Sequence, residues 1–508
     1  MAQGYQDAER RIEEAWQLQA TELTLRNLGL TELPTTIGTL TQLQKLDLSN
    51  NYLTTLPEEI SALTQLRDLD LFSNSLSALP LGICSLTQLE VLDLIENQLT
   101  NLPEAISCLT QLKKLDLSNN HFTSLPVVIG DLAQLQVLGL HANKLTKLPA
   151  EIGCLVHLKE LDLSNNAFTD LPVAIANLNQ LQTLDLSRNH FTDLPEAING
   201  LAHLCKLDLS YNKLTAIPAV ISSLSQLQTL DLCANQITEL PELIGSCIEL
   251  QELSLSRNLL INLSAAIGSL TNLKVLDLSQ NQLSHLPKSI GYLTQLQKLY
   301  IERNKLITLP ESIGGLSNLQ TFHLYRNQLT ILPESIGDLI QLRELFAYQN
   351  QLTNLPGTIR FLTRLEKLNL SGNQLATLPE GLTVLCEALS SLLQLHYLNL
   401  SHNQIAQLPE AIGALTQLKE LVLVCNHLKD LPASIGSLTQ LQFLYVSHNP
   451  LTHLPETING LSQLQKLNLE HNHLSDLPAA IAALTLLKEL ILSENKFTVL
   501  PTAIGALT

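Results

Sequence analysis

LDLSNNYLTTLP, from Leu46 to Pro57, comes back in nearly the same letters as LDLIENQLTNLP, Leu92 to Pro103, and LDLSNNHFTSLP, Leu115 to Pro126. Aligned on the leucine three residues ahead of Leu46, the chain resolves into units starting at 20, 43, 66 and every 23 residues to 365, then at 395, 418, 441, 464 and 487. That makes 21 units with the consensus LxxLxLSxNxLTxLPxxIGxLxQ. Twenty of the 21 prolines hold the LP position, and units 2 to 21 all carry one asparagine, from Asn51 to Asn495. At this period a single unit cannot bury its own apolar face, so each depends on its neighbours.

The consensus resembles the leucine-rich-repeat signature, in which a short strand is followed by a turn and a return segment. The fold expected is an α/β leucine-rich-repeat solenoid, a horseshoe of 21 units. It has a parallel β-sheet on the concave side, an irregular or short-helical convex side, and an N-terminal helical cap. Leucines at unit positions 1, 4, 6, 11, 14 and 21 and the isoleucine at 18 face inward. The asparagine stands where the strand turns and can bond otherwise unpaired backbone groups. Proline restricts φ on the return side and removes a donor that the strand ladder does not need.

The array is expected over 20–508, preceded by a cap over 1–19 in which Ala8, Ile12, Ala15 and Trp16 recur at helical spacing. One unit, 365–394, has 30 residues, and Leu382, Leu385, Leu389 and Leu392 suit one face of a longer return helix; a partner-binding helix or a hinge is the alternative. At the carboxyl end Leu490, Leu492, Leu500, Ile504 and Leu507 form an apolar end face of the kind solenoids cover with a polar terminal repeat. Either more polypeptide follows or the chain associates end to end.

Among 508 residues, 45% are hydrophobic and 15% charged, which is too apolar for disorder, and no apolar run is long enough to span a bilayer. The first residues, MAQGYQDAERRIEEAWQ, lack the apolar stretch of a secretory signal. Eight cysteines are scattered with no CxxC pair, which reads as reduced thiols and a cytoplasmic location. A net charge of −18 argues against nucleic acid and anionic membrane surfaces as partners.

The opening ERRIEEAW, the first unit TELTLRNLGLTELPTTIG and the SLTQLQ-type units resemble the repeat region of bacterial, especially cyanobacterial, Roco proteins. They are also similar to the intracellular Ras-group leucine-rich-repeat scaffolds. In Roco proteins the repeats precede a GTPase domain with a GxxxxGKS/T phosphate loop, and that motif is missing here, so GTP hydrolysis does not carry over. What the resemblance implies is an adaptor surface in signal transduction that addresses a small or Roc-type GTPase, in cis or in trans. HExxH, GxSxG, GxGxxG and HRD are also missing. No enzyme activity and no cofactor are expected.

Alternation along the strand sends positions 3, 5 and 7 outward, with position 8 beside them. At position 5 aspartates recur as Asp47, Asp70, Asp93, Asp116, Asp162, Asp185, Asp208, Asp231 and Asp277, interrupted by Gly139 and Ser254. Their spacing of about 5 Å costs about 0.8 kcal/mol per neighbour in water, which lysines such as Lys45, Lys114 and Lys206 offset in part. The row reads as a solvated stripe or as an electrostatic flank that docks a basic protein surface or divalent cations.

Units 13 to 15 break the pattern, most visibly as LFAYQNQLTNLP from Leu345 to Pro356. Position 5 becomes Tyr300, His323 and Phe346; position 7 becomes Glu302, Tyr325 and Tyr348; position 8 becomes Arg303, Arg326 and Gln349. Aromatic and arginine side chains where the core gains nothing have the composition of a partner-binding hot spot, the alternatives being drift and self-stacking along the sheet. Phe443 and Tyr445, with Tyr397 further off, form a smaller set. At position 8 of units 17 to 20, His402, Cys425, His448 and His471 are metal-ligand types, but four in a line cannot close a tetrahedron, so surface histidines are expected there. Three functions stay open: a protein-binding scaffold, the regulatory segment of a Roco-type GTPase, and a structural spacer.

Overall fold

The computed structural model describes residues 2–376, 392–499 and 504–505. The chain forms two compact units, Met1–Ile237 and Thr238–Thr508. In the first, α1 (Ala2–Gln17) leads into ten parallel strands of three residues each, from β1 (Glu22–Thr24) and β2 (Lys45–Asp47) to β10 (Thr229–Asp231). The second holds eleven, from β11 (Glu252–Ser254) to β21 (Glu489–Ile491). Within each unit successive strands pair in parallel one repeat apart, so Leu23 lies opposite Leu46, Leu46 opposite Leu69, and Leu253 opposite Leu276. Across the 30-residue unit the register is kept, with Leu368 of β16 (Lys367–Asn369) opposite Leu398 of β17 (Tyr397–Asn399). Of the helix expected there, Leu382, Leu385 and Leu389 lie outside the described residues; Leu392 is buried.

The middle residue of each strand points inward and the two flanking it point outward. In unit 2, Leu43, Leu46, Leu48, Leu53, Ile60 and Leu63 are all fully buried, each worth about 1.5–3 kcal/mol relative to exposure. After the proline the chain makes a short 3-10 turn, as over Glu58–Ala62, where Pro57 sits at φ −70° and Leu63 N–H returns to Ile60 O at 3.1 Å. Unit 11 lacks the proline. Ser264 takes its place, and its hydroxyl accepts the Ala266 N–H at 3.1 Å, so a side-chain cap substitutes for a ring constraint.

The asparagine row is a buried hydrogen-bond ladder. Asn51 Oδ1 accepts from Leu28 and Leu30 N–H at 3.1 and 3.0 Å, while Nδ2 donates to Leu25 and Leu48 carbonyls at 3.0 and 2.9 Å. One side chain thus ties two successive turns together. Just before it, position 8 adopts the left-handed conformation in every unit, through residues as different as Asn119, Tyr211, Ala234 and Cys425, all at φ 54–55°. Gly372, at φ 62°, meets this demand without a Cβ penalty.

On α1, Ala8, Ile12 and Ala15 are buried, and Arg11 Nη1 donates to Thr24 O at 3.1 Å, covering the free edge of β1. Gly4 permits the approach, since a Cβ there would stand 1.9 Å from Leu28 O. Trp16 departs from the expected stripe and is 48% exposed, because it lies about 100° round the helix from Ala15. At β21, Leu490 and Leu492 are half-buried where Leu467 and Leu469 are fully buried; Ile504 is half-buried, and Leu500 and Leu507 fall outside the described residues.

Candidate partner-binding face

In the first unit the aspartates at position 5 carry a backbone duty that sequence reasoning missed. Asp47 Oδ1 accepts the Ser49 N–H at 2.9 Å and the Ser49 hydroxyl at 2.6 Å. Asp70, Asp93, Asp116, Asp162, Asp185, Asp208 and Asp231 bond the N–H two residues on in the same way, and so does Asp277 in the second unit. Each carboxylate therefore closes the exit of its strand, half-buried. Burial raises the carboxyls of Asp70, Asp93 and Asp208 above the ordinary carboxylate range, and the neighbouring aspartates add to it. Lys45 pairs with Asp68 at 3.0 Å, a position-3 partner on the next strand.

Gly139 ends β6 (Val137–Gly139) and opens a notch of about 290 Å³ lined by Lys114, Asp116, Glu160, Asp162 and Asp185. A Cβ on Gly139 would collide with the Asp116 carboxylate, which leans over it.

In the second unit, β12 (Val275–Asp277), β13 (Lys298–Tyr300), β14 (Thr321–His323) and β15 (Glu344–Phe346) lie in register, which sets Asp277, Tyr300, His323 and Phe346 side by side. His323 stacks on Phe346, with ring centroids 4.7 Å apart at 13°, and meets Tyr300 edge-on at 5.1 Å. One row over, Tyr325 stacks on Tyr348 at 4.2 Å and 7°. All five rings are half-buried on the outer side of the strands, shielded mainly by one another. The self-stacking foreseen as an alternative is present.

Glu302 begins the second ring row. Its Oε1 receives the Tyr325 hydroxyl at a long 3.4 Å, and its Oε2 is shielded from solvent with no hydrogen-bond partner. Burial pushes the carboxyl up to about 7, Asp277 adding to the effect and Arg303 opposing it. Burial also lifts the Tyr325 hydroxyl to about 12 and holds His323 below the ordinary imidazole value. His323 Nε2 faces Glu344 Oε2 at 3.9 Å, and Glu344 is held by Lys367 at 2.7 Å. Glu344 and Lys367 were not picked out beforehand; their opposite charges at position 3 of adjacent strands were the available signal. Arg303 and Arg326 are exposed, and Arg326 Nε bonds the Gln349 side chain.

The remaining candidates stand apart. On β19 (Phe443–Tyr445), Tyr445 lies under Lys466 at 5.8 Å, and the Tyr397 hydroxyl accepts from Asn399 Nδ2 at 3.1 Å. His448 and His471 stack face to face at 4.3 Å, beside Cys425 and His402 in the left-handed row. Among the described residues no three metal-ligating side chains converge, and no helix is long and apolar enough to cross a membrane. Cys84, Cys108, Cys154, Cys205 and Cys425 are free thiols.

Compared with known families, residues 150–240 and 374–467 match the Leucine-rich repeat region, and residues 19–76, 73–122, 248–306 and 444–497 match the Leucine rich repeat. Residues 110–152 and 340–384 match paired copies of the same repeat, and 318–339 a single one. No curated protein matches. Among solved structures, an LRR protein of Leptospira interrogans is similar at 37% identity and TM-score 0.67, over 77% of this chain and 92% of that one. YopM from Yersinia enterocolitica aligns at 28% identity and TM-score 0.60, over 98% and 93%. The Arabidopsis receptor kinase HAESA, solved with a peptide hormone and a co-receptor, aligns at 26% identity and TM-score 0.70, over 96% and 85%.

Proposed function

The chain belongs to the leucine-rich-repeat family, and from that premise we propose that it is a protein-binding scaffold whose principal contact is the outer strand face around Tyr300–Gln349. One observation carries this reading: five aromatic rings crowd the outer side of three adjacent strands, where burial in the core cannot account for them. Rigid rings beside arginine supply large contact area at low entropic cost. HAESA takes a peptide hormone, and an extended segment of a partner is the occupant this flat face suits. The aspartate row serves as an electrostatic flank. The free thiols of Cys84, Cys108, Cys154, Cys205 and Cys425 suit work in a reducing compartment, the cytoplasm included.

The test is affinity capture from the source lysate with wild type against a Tyr300→Ala, Tyr325→Ala, Phe346→Ala triple variant, read by mass spectrometry. Loss of specific proteins with little change in melting is expected. Equal capture by both forms sinks the reading, and a large drop in melting temperature makes the rings structural. A GTPase among the specifically lost proteins is what the Roco-type resemblance favours; its absence removes the GTPase link alone.

A further inference from the structure

We propose that this face holds a receptor point for one cationic side chain, a guanidinium or ammonium presented by the partner, with Glu302 as its counter-charge. The inference rests on the reading of the ring face as the partner's contact and adds the chemistry of that partner.

Glu302 is a carboxylate left incomplete by its own chain. Oε2 is out of water with no hydrogen-bond partner, and the carboxylate is otherwise held by its own backbone N–H and by the 3.4 Å bond from the Tyr325 hydroxyl to Oε1. Buried polar atoms in folded proteins are almost always paired, so the vacancy needs an explanation. The cations nearby do not supply one. Arg303, next in the chain, is exposed and acts on Glu302 through its charge alone, the Arg326 Nε bonds Gln349, and among the described residues no ion pair reaches Glu302. The His323 imidazole, held neutral by burial, supplies no charge either.

The surroundings favour a cation over any other group. Asp277 on the preceding strand adds a second negative charge. Tyr325 has one ring face closed by Tyr348 of the following repeat, and the order of the repeats turns the other toward the preceding one, where Glu302 stands just past β13. A cation arriving above Glu302 thus meets a carboxylate and an aromatic face together, the pairing that gives a cation–π contact its strength once water is displaced.

The experiment selects binders from a phage-displayed library of random linear peptides on wild-type protein, with the triple alanine variant as counter-selection. A synthetic copy of the strongest binder is then titrated by fluorescence anisotropy, at mildly alkaline pH where the carboxylate is ionised. The expected binder carries Arg or Lys, and replacing that residue by citrulline or norleucine lowers affinity about tenfold on wild type but hardly at all on Glu302→Gln. The peptide swap needs no protein variant, so it decides the matter even if Glu302→Gln folds poorly. Binders that need the rings but carry no cation, or that ignore its replacement, overturn this inference and leave the scaffold reading standing. If no peptide separates wild type from the triple variant, both fall.

Discussion

At Glu302 a side chain that the repeat would write as serine has become an acid, and its neighbours decide its state. In an unfolded chain a glutamate titrates at about 4.3; in the fold burial raises it to about 7. Between those values the folded state binds more protons than the unfolded one, so stability falls as pH rises from about 4.5 to about 7 and then levels off. Asp277 steepens that loss, while Arg303 and the Tyr325 hydroxyl soften it. Glu302→Gln removes the titrating group without changing shape. Urea denaturation at about pH 5 and about pH 8 is expected to show wild type losing more stability than the variant, and parallel profiles contradict the burial argument. The sequence showed that Glu302 was unusual for its position. It could not show an orphaned oxygen, since that depends on how Tyr325, one repeat away and stacked on Tyr348, sets its hydroxyl against the carboxylate.

Where position 5 of the three-residue strand is Asp or Asn, its side chain satisfies the backbone just past the strand. An acceptor there captures the N–H two residues later, whether it is the carboxylate of Asp93 on Ile95 at 3.0 Å or the amide of Asn468 on Glu470 at 3.0 Å. Asn369 and Asn399 do the same, so the bond matters to the element and the charge does not. The row of aspartates looked like a solubility stripe because alternation assigns that position to solvent, and the alternation is right. What it hides is that a short side chain can point outward and still curl back onto its own backbone. Asp93→Asn is expected to keep the bond, shed repulsion from Asp70 and Asp116, and leave stability equal or slightly higher. Asp93→Ala loses the acceptor and costs about 1 kcal/mol by chemical denaturation. If the alanine form is as stable as the asparagine form, the row is electrostatic after all.

Across the whole molecule, the periodic leucines and the recurrent asparagine made the fold legible, because each copy repeats the same burial problem and the same orphaned backbone groups. The left-handed position 8 was not legible, since Arg326, Ala234 and Cys425 share no local preference for it; stacking on neighbouring turns imposes it. The same nearest-neighbour logic governs how damage spreads. Asn327 joins its own turn to the one before, accepting from Leu306 N–H at 3.0 Å and donating to the Ile301 and Leu324 carbonyls, each at 3.0 Å. Asn327→Ala strands the Leu306 N–H in the interior, while the Ile301 and Leu324 carbonyls keep the bonds from Asn304 and Asn350 Nδ2, a loss of about 1–3 kcal/mol. In a repeat array that loss belongs to the interface between two turns and does not redistribute over the chain. Hydrogen exchange followed by mass spectrometry is therefore expected to show faster exchange in the repeats flanking Asn327 and unchanged protection through residues 2–237. Uniform acceleration across the chain would mean that the repeats unfold as one cooperative body, and the additive picture would have to be abandoned.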